Sequence, residues 1–240
     1  MAGSDRSGPV AVITGGSQGL GLALAEALAD RGWSLVVDAR RRDRLDAAVA
    51  RLAARTAVTG VAGDVTDPAH RAALVDAATR LGDVRALVNN ASTLGGSPLP
   101  ALSVVSADVL RRVYDVNVVA PIALVQAFGD RLRAGAAILN VTSDAAVEAY
   151  EGWGAYGSSK AALEHASRVL AIERPDLRVL VVDPGDMRTE MHQDAFPGED
   201  IGDHPLPEVS VPGLVALIEG DQPSGRYEAR AVARTPAPVR

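Results

Sequence analysis

Hydrophobic and polar positions follow two alternating periods along this chain. Short runs of consecutive apolar, largely β-branched residues are each followed by a longer stretch with apolar residues three and four positions apart. The short runs are Pro9-Val10-Ala11-Val12-Ile13, Ser34-Leu35-Val36-Val37-Asp38, a stretch ending at Gly63, Val84-Arg85-Ala86-Leu87-Val88, 136–141 and 177–182. They read as parallel strands buried on both faces. The stretches between them read as helices: one through Leu22-Ala23-Leu24-Ala25-Glu26-Ala27-Leu28, then 43–54, one opened by Asp67-Pro68, 106–132, one from Tyr156 towards Arg174, and 208–219. Asp67-Pro68 has the residue types of a helix cap and first turn, which makes Asp67 structural. A short strand near Gly225-Arg226-Tyr227-Glu228 ends the pattern, and the tail 231–240 is expected to fray. Strict alternation of strand and helix predicts an α/β fold with a doubly wound parallel sheet and helices on both faces.

The chain has 240 residues, with no internal repeat and no linker-like segment, so it reads as a single domain over 1–240. One segment breaks the alternation. Residues 187–207 are rich in Asp, Glu, Pro and Gly and hold Met191, His192 and Phe196, which predicts a mobile flap over a pocket. In doubly wound sheets, ligands bind beyond the carboxyl ends of the strands. Gly15, Arg40, Asp64, Asn90, Ser143 and Pro184-Gly185 all fall at such ends. That convergence on one edge is the strongest pointer to a site.

The first of these groups has chemical content. The β-branched run up to Ile13 leads straight into Thr14-Gly15-Gly16-Ser17-Gln18-Gly19-Leu20-Gly21 and then into a helix. Strand, glycine-rich turn and helix form the context of a dinucleotide-binding loop. The glycines let backbone approach a pyrophosphate, and the helix N-terminus offers unpaired N–H groups and a positive dipole end.

The second group is Gly154-Ala155-Tyr156-Gly157-Ser158-Ser159-Lys160. Four residues apart on a helix, Tyr156 and Lys160 share one face. A free tyrosine keeps its proton until pH ~10. A neighbouring ammonium favours the phenolate and lowers that pKa, which suits acid/base work near neutrality. Ser143, on the chain leaving 136–141, offers a hydroxyl that could bond a substrate carbonyl and steady charge on its oxygen. Asn117, in the middle of an apolar helical stretch, must find polar partners or cost stability.

Composition narrows the classes. The net charge of -6 gives no reason to expect nucleic acid or an anionic membrane as a partner. There is no cysteine, the four histidines have no metal-ligand spacing, and no metal is expected. Residues 2–8 are small and polar without an apolar core, and no apolar run reaches membrane-spanning length, so the expected location is the cytoplasm.

Taken together, these residues resemble the short-chain dehydrogenase/reductase family in its compact form, over about residues 9–230, and the resemblance implies a Rossmann-like sheet. Thr14-Gly15-x-x-x-Gly19-x-Gly21 is similar to its cofactor loop, Asp64-Val65 to its adenine-contacting pair, and Asn89-Asn90-Ala91-Ser92 to its Asn-Asn-Ala-Gly motif. Asn117, Ser143, Tyr156 and Lys160 match its catalytic tetrad in order and spacing. Pro184-Gly185-x-x-x-Thr189 matches the turn at the nicotinamide end. The resemblance implies that Tyr156 exchanges the proton with a carbonyl or hydroxyl oxygen and that Ser143 polarises the carbonyl. Lys160 would lower the tyrosine pKa and bind the nicotinamide ribose, and Asn117 would hold a water on the proton path. The implied cofactor contacts are Gly15, Ser17, Gln18, Gly19, Leu20, Gly21, Arg40, Arg41, Asp64, Val65, Asn90, Ala91, Tyr156, Lys160, Pro184, Gly185 and Thr189.

The departures from the family pattern bear on specificity. The position where NAD-preferring members carry an acidic residue falls on Ala39, with Asp38 one earlier and Arg40 where NADP-preferring members carry an arginine. Side chains alternate along a strand, so Asp38 should point away from the direction Ala39 takes. NADP(H) is favoured, and NAD(H) is possible. Ser92 stands where glycine is usual and is expected to leave the catalytic groups untouched. Ser224-Gly225-Arg226-Tyr227 replaces the usual ending, which puts the family's tetramer contacts there in question. A homodimer through 106–132 and 154–174 is expected, or a homotetramer. The expected activity is carbonyl/secondary-alcohol interconversion on a small organic substrate, reduction favoured. The alternatives are an NAD-linked alcohol dehydrogenase and a cofactor-sensing protein on the same fold. Tyr150, Trp153, Leu94, Met187, Met191 and Phe196 are expected to wall the substrate pocket.

Overall fold

In a computed structural model of the chain, which describes residues 8–234, the strands are β1 (Val10–Ile13), β2 (Ser34–Ala39), β3 (Val58–Ala62), β4 (Val84–Asn89), β5 (Leu132–Val141), β6 (Arg178–Asp183) and β7 (Gly225–Glu228). All are parallel, in the order β3-β2-β1-β4-β5-β6-β7. The helices are α1 (Gly19–Ala29), α2 (Arg42–Ala53), α3 (Pro68–Leu81), α4 (Ala107–Tyr114), α5 (Ala120–Phe128), α6 (Gly154–Glu173), α7 (Glu190–Ala195), α8 (Val211–Glu219) and α9 (Ala229–Arg234). The expected doubly wound parallel sheet is present. None of the described helices is long and apolar enough to cross a membrane.

The central strand β1 is apolar throughout because each face of the sheet carries its own core. Ala11 and Ile13 of β1 pack into a cluster with Leu24 and Leu28 of α1, Leu45 and Leu52 of α2, and Leu214 and Ile218 of α8. Val10 and Val12, pointing the other way, join Leu74 of α3 and Leu124 and Phe128 of α5. The period-2 alternation of β1 therefore serves two cores and shows no polar face.

Four stretches differ from the sequence pattern. The stretch 106–132 is not one helix: Asp115–Val119 is a π-helical turn between α4 and α5, and the helix ends at Phe128, where Gly129 takes φ +48°. β5 begins at Leu132, four residues before the apolar run, because Val84 of β4 pairs with Leu132 before the register shifts. Within 187–207, residues Glu190–Ala195 form a helix capped by the Thr189 hydroxyl, which accepts from the His192 N–H at 3.2 Å. The tail expected to fray is helical as far as Arg234. Residues 235–240 and the polar stretch 2–7 lie outside the described residues.

Asp67 caps α3 as expected, its carboxylate accepting from the Ala69 N–H at 2.9 Å. The strand order reverses at β1, whose two neighbours are β2 and β4. A cleft opens beyond the carboxyl ends at such a switch point.

Candidate active site

That cleft has a volume of about 980 Å³ and is lined by the glycine loop, the ends of β2 to β6, the turn 184–186 and the first residues of the flap, 187–192. All the site residues proposed from sequence line it except two, Gly21 and Asn117. Gly21 is a packing residue. A Cβ there would lie 2.4 Å from the Gly15 carbonyl oxygen and 2.6 Å from Asn90 Nδ2, so only glycine lets α1 approach β1 and β4. Asn117 is buried in the π-helical turn behind the cleft.

The glycine loop is held in shape from below. Gly15 turns the chain at φ +66°. Its N–H donates to Asp38 Oδ1 at 2.6 Å, and the Gly16 N–H donates to the Asp38 carbonyl at 2.9 Å. Thr14 Oγ1 accepts from the N–H groups of Asn90 and Ala91, 3.0 Å each, while Asn90 Nδ2 donates to the carbonyls of Thr14 and Gly15. α1 then starts at Gly19 with no side-chain cap from Gln18, and Ser17, Gln18, Gly19 and Leu20 face the cleft. An uncapped helix N-terminus presenting N–H groups to a cleft suits a pyrophosphate.

The end of β2 settles which way Asp38 points. Its carboxylate is buried, occupied by the Gly15 N–H and by His70 Nε2 at 2.9 Å. Arg40 is exposed at the cleft with no ion pair among the described residues, whereas Arg41 pairs with Asp43 at 2.8 Å. Sequence reasoning overlooked Arg44, which reaches from α2 to the Gln18 side-chain oxygen and to the Glu190 carboxylate, tying the glycine loop to the flap. Asp64 accepts from Arg112 at 2.6 Å and from the N–H and hydroxyl of Thr66. Burial pushes its carboxyl up, but these donors outweigh that and hold it at about 2.

Tyr156 and Lys160 lie one turn apart on α6, as their spacing requires. Lys160 is 2% exposed, and its Nζ donates to the Val141 carbonyl at 2.8 Å and lies 5.4 Å from the centroid of the Tyr156 ring. Burial lowers its pKa to about 8. The expected lowering of the Tyr156 pKa is absent. Burial, then the charges of Asp183 and Asp144, hold the phenol above its ordinary value, with the hydroxyls of Ser143 and Ser92 pulling it down. Burial penalises the charged phenolate, and the lysine ammonium, bonded to the Val141 carbonyl, does not offset that cost.

Ser143 caps a short 3-10 turn, Asp144–Ala146. Its Oγ donates to Asp144 Oδ1 at 2.8 Å and accepts from the Ala145 N–H at 3.2 Å. Behind it, Arg226 of β7 bridges Glu164 at 3.0 Å and Asp183 at 3.2 Å, and Glu164 accepts from Thr142 at 2.8 Å. No sequence signal marked Arg226, because its partners come from α6 and β6 and meet it only across the sheet.

The aromatic wall is smaller than expected. Trp153, Leu94, Met187 and Met191 line the cleft. Trp153 meets Tyr156 edge-on at 5.6 Å and tilts against Phe196 at 5.9 Å, so Phe196 backs the wall from behind. Tyr150 turns outward to Asp144 and Glu148, 3.0 Å from each, and is no part of the pocket. Ser92 is also corrected: its hydroxyl donates to Asn117 Oδ1 at 3.1 Å, so it does touch one of the expected catalytic residues.

Comparison with known proteins agrees with this geometry. The family model for short chain dehydrogenases matches residues 9–200. A 1-deoxy-11-beta-hydroxypentalenate dehydrogenase of Streptomyces avermitilis is 37% identical over 75% of this chain and 69% of its own. An oxidoreductase of Methylorubrum extorquens is 34% identical over 91% of this chain and 93% of its own. The crystal structure of an alcohol dehydrogenase from Thermococcus sibiricus, complexed with 5-hydroxy-NADP, superposes with a TM-score of 0.80 at 28% identity, covering 95% of this chain and 99% of that one. Members of the family use nicotinamide cofactors and act on small molecules. With this match over most of its length, the chain belongs to the short-chain dehydrogenase/reductase family of oxidoreductases.

Proposed function

We propose that this protein is an NADP-preferring oxidoreductase that interconverts a carbonyl and a secondary alcohol on a small organic substrate, with reduction favoured. One observation carries the reading: a single cleft is lined by Arg40, which has no ion pair among the described residues, by the glycine loop, and by Ser143, Tyr156 and Lys160. The residues fit a dinucleotide. The uncapped N-terminus of α1 receives the pyrophosphate, Asp64 and Val65 flank the adenine, and Pro184, Gly185 and Thr189 hold the nicotinamide end. Arg40, with Arg41 beside it, receives the 2′-phosphate. Asp38 is committed to Gly15 and His70, which supports NADP over NAD because no carboxylate at this strand end is free for a ribose hydroxyl.

The bound nicotinamide supplies or accepts the hydride. Tyr156 gives its proton to the developing alkoxide, or takes it from an alcohol. Ser143 turns its hydroxyl from Asp144 to the substrate oxygen and steadies the charge there. Lys160 binds the ribose hydroxyls and stabilises the phenolate. Asn117 keeps the ends of β4 and α6 in register through Thr93 and Ser159. Trp153, Leu94 and Met191 favour an apolar substrate body. The protein acts as a homodimer or homotetramer in the cytoplasm, exposed Val119, Ile122, Val169 and Ile172 on and beside α5 and α6 giving a second copy an apolar face.

The test is titration with NADPH and with NADH, followed by the fluorescence of Trp153 at the cleft, and then assay of a panel of ketones. Tighter NADPH binding and NADPH oxidation by a ketone are expected. Binding of neither cofactor overturns the reading.

A further inference from the structure

Arg230 stands on α9 and spends its guanidinium on neutral oxygens. Its Nε donates to Ser210 Oγ at 3.2 Å, and an Nη nitrogen donates to the Asp186 carbonyl. Among the described residues it has no ion pair, whereas Arg226 of β7 is paired with Glu164 and Asp183. The single hydrogen of the Ser210 hydroxyl goes to the Pro184 carbonyl at 2.6 Å, which leaves its oxygen to accept from Arg230. Ser210 is fully buried.

These bonds converge on one turn, the chain between β6 and α7. Pro184 is held through Ser210, and Asp186 is held by Arg230 directly. Gly185 lies between them. A Cβ there would come 3.0 Å from the guanidinium carbon of Arg230, so the arginine lies against the turn only because this residue is glycine. The Gly185 N–H is taken by Asp183 Oδ1 at 2.8 Å. Pro184, Gly185 and Asp186 line the cleft and Arg230 does not, so it grips the turn from behind. A planar trans peptide points its N–H opposite to its C=O. Holding the Asp186 carbonyl on α9 therefore turns the Met187 N–H away from α9, and Met187 lines the cleft.

The short helix that carries Arg230 is itself seated. Ala229 is fully buried, and its carbonyl lies so near Gly213 of α8 that any Cβ there would overlap it. From this fixed place the planar fork of an arginine spans two acceptors, where the point charge of a lysine reaches one.

We propose that Arg230 is a positioning residue for the nicotinamide end of the cofactor: it bridges Ser210 and the Asp186 carbonyl and so sets the backbone of the turn Pro184-Gly185-Asp186. The proposal rests on the reading that this turn receives the nicotinamide. Arg230 acts through the turn and touches no reacting atom. None of its bonds described above involves the glycine loop, Arg40 or Asp64, so its loss is felt at one end of the dinucleotide.

The test compares NADPH with 2′-phospho-ADP-ribose, which keeps the adenine, the 2′-phosphate and the pyrophosphate and lacks the nicotinamide. Both are titrated calorimetrically into the full chain as wild type, Arg230→Met and Arg230→Lys. Arg230→Met is expected to bind NADPH about tenfold more weakly, the worth of a charge-assisted hydrogen bond, and 2′-phospho-ADP-ribose within about twofold of wild type. Arg230→Lys keeps the charge, cannot bridge both acceptors, and shows the same one-sided loss. Equal weakening of both ligands would make Arg230 a general support of the fold and overturns the proposal, as does no weakening of either. Wild-type NADPH affinity in Arg230→Lys also overturns it, since charge alone would then suffice. Should Arg230→Met fail to fold, the Lys variant carries the comparison. Wild type that binds neither ligand overturns the functional reading itself, whereas the other adverse outcomes overturn the role of Arg230 alone. The same split is expected between NADH and ADP-ribose, so the result does not depend on which dinucleotide is preferred.

Discussion

Asp38 Oδ2 lies 2.9 Å from His70 Nε2, with the two residues 2% and 6% exposed. Strand β2 thereby sends its terminal carboxylate under the glycine loop, towards α3, and leaves Arg40 facing the cleft. Removing one partner of a buried pair leaves the other charge without compensation. His70→Ala is expected to cost about 3 kcal/mol of stability on that account, read from the urea midpoint. A loss below about 0.5 kcal/mol, the range of ordinary surface changes, would mean that water replaces the imidazole.

Arg40 has no ion pair among the described residues, so its removal costs the fold little. Arg40→Ala should weaken NADPH binding about ten- to hundredfold, the worth of a charge-assisted hydrogen bond, and leave NADH binding within twofold. Equal weakening of both cofactors would locate the 2′-phosphate elsewhere, with Arg44 the next candidate.

Tyr156 lines the cleft beside Ser143 and packs edge-on against Trp153. Tyr156→Phe keeps the ring and removes the proton. Turnover should fall by about 10²–10⁴, the range for a lost general acid, while NADPH affinity and thermal midpoint stay near wild type. Retained turnover would assign the proton to another group.

Lys160 is buried and its pKa is depressed to about 8, against about 10.4 when exposed in the unfolded chain. Below pH 8 both states carry the charge, and the folded state bears the full cost of burying it. Between about pH 8 and 10 the unfolded chain binds more protons than the folded one, so this group makes stability rise with pH by about 3 kcal/mol in total. Lys160→Met should abolish that rise, seen as a flat difference between its urea midpoints at pH 7.5 and 9.5. Tyr156 works the other way above pH 10, its raised pKa costing stability as the unfolded phenol ionises.

Glu190 and Arg44 close the flap over the glycine loop, yet their side chains are 53% and 34% exposed. An exposed ion pair is worth no more than about 1 kcal/mol. Glu190→Gln should therefore speed NADPH release in stopped-flow at most about fivefold, with the urea midpoint unmoved. A larger acceleration would show that the latch holds more of the flap than this pair alone.

The fold was legible in the sequence because burial on both faces forces apolar strands and amphipathic helices, and their alternation permits few topologies. The cleft was legible because strand ends must gather at one edge of such a sheet. Segment 106–132 carries the pattern of one helix because a π-helical turn keeps the apolar spacing, and only the tertiary placement of Asn117 against Thr93 and Ser159 distinguishes the two. The helix inside the expected mobile flap leaves no pattern in the sequence because α7 is six residues long and holds together by the Thr189 cap and contacts with distant residues.

The sequence by itself determined the sheet, the glycine turn, and the pairing of Tyr156 with Lys160, because these rest on local periodicity and short spacings. Tertiary structure alone decided the environment of each group. Asp38 is taken by His70, 32 residues away, Asp64 by Arg112, 48 away, and Asp183 by Arg226, 43 away. It also decided that Ser92 meets Asn117, and that burial raises the tyrosine pKa that the helix spacing alone would lower. Desolvation and partner choice depend on what the folded chain brings near a side chain, and no local pattern encodes that.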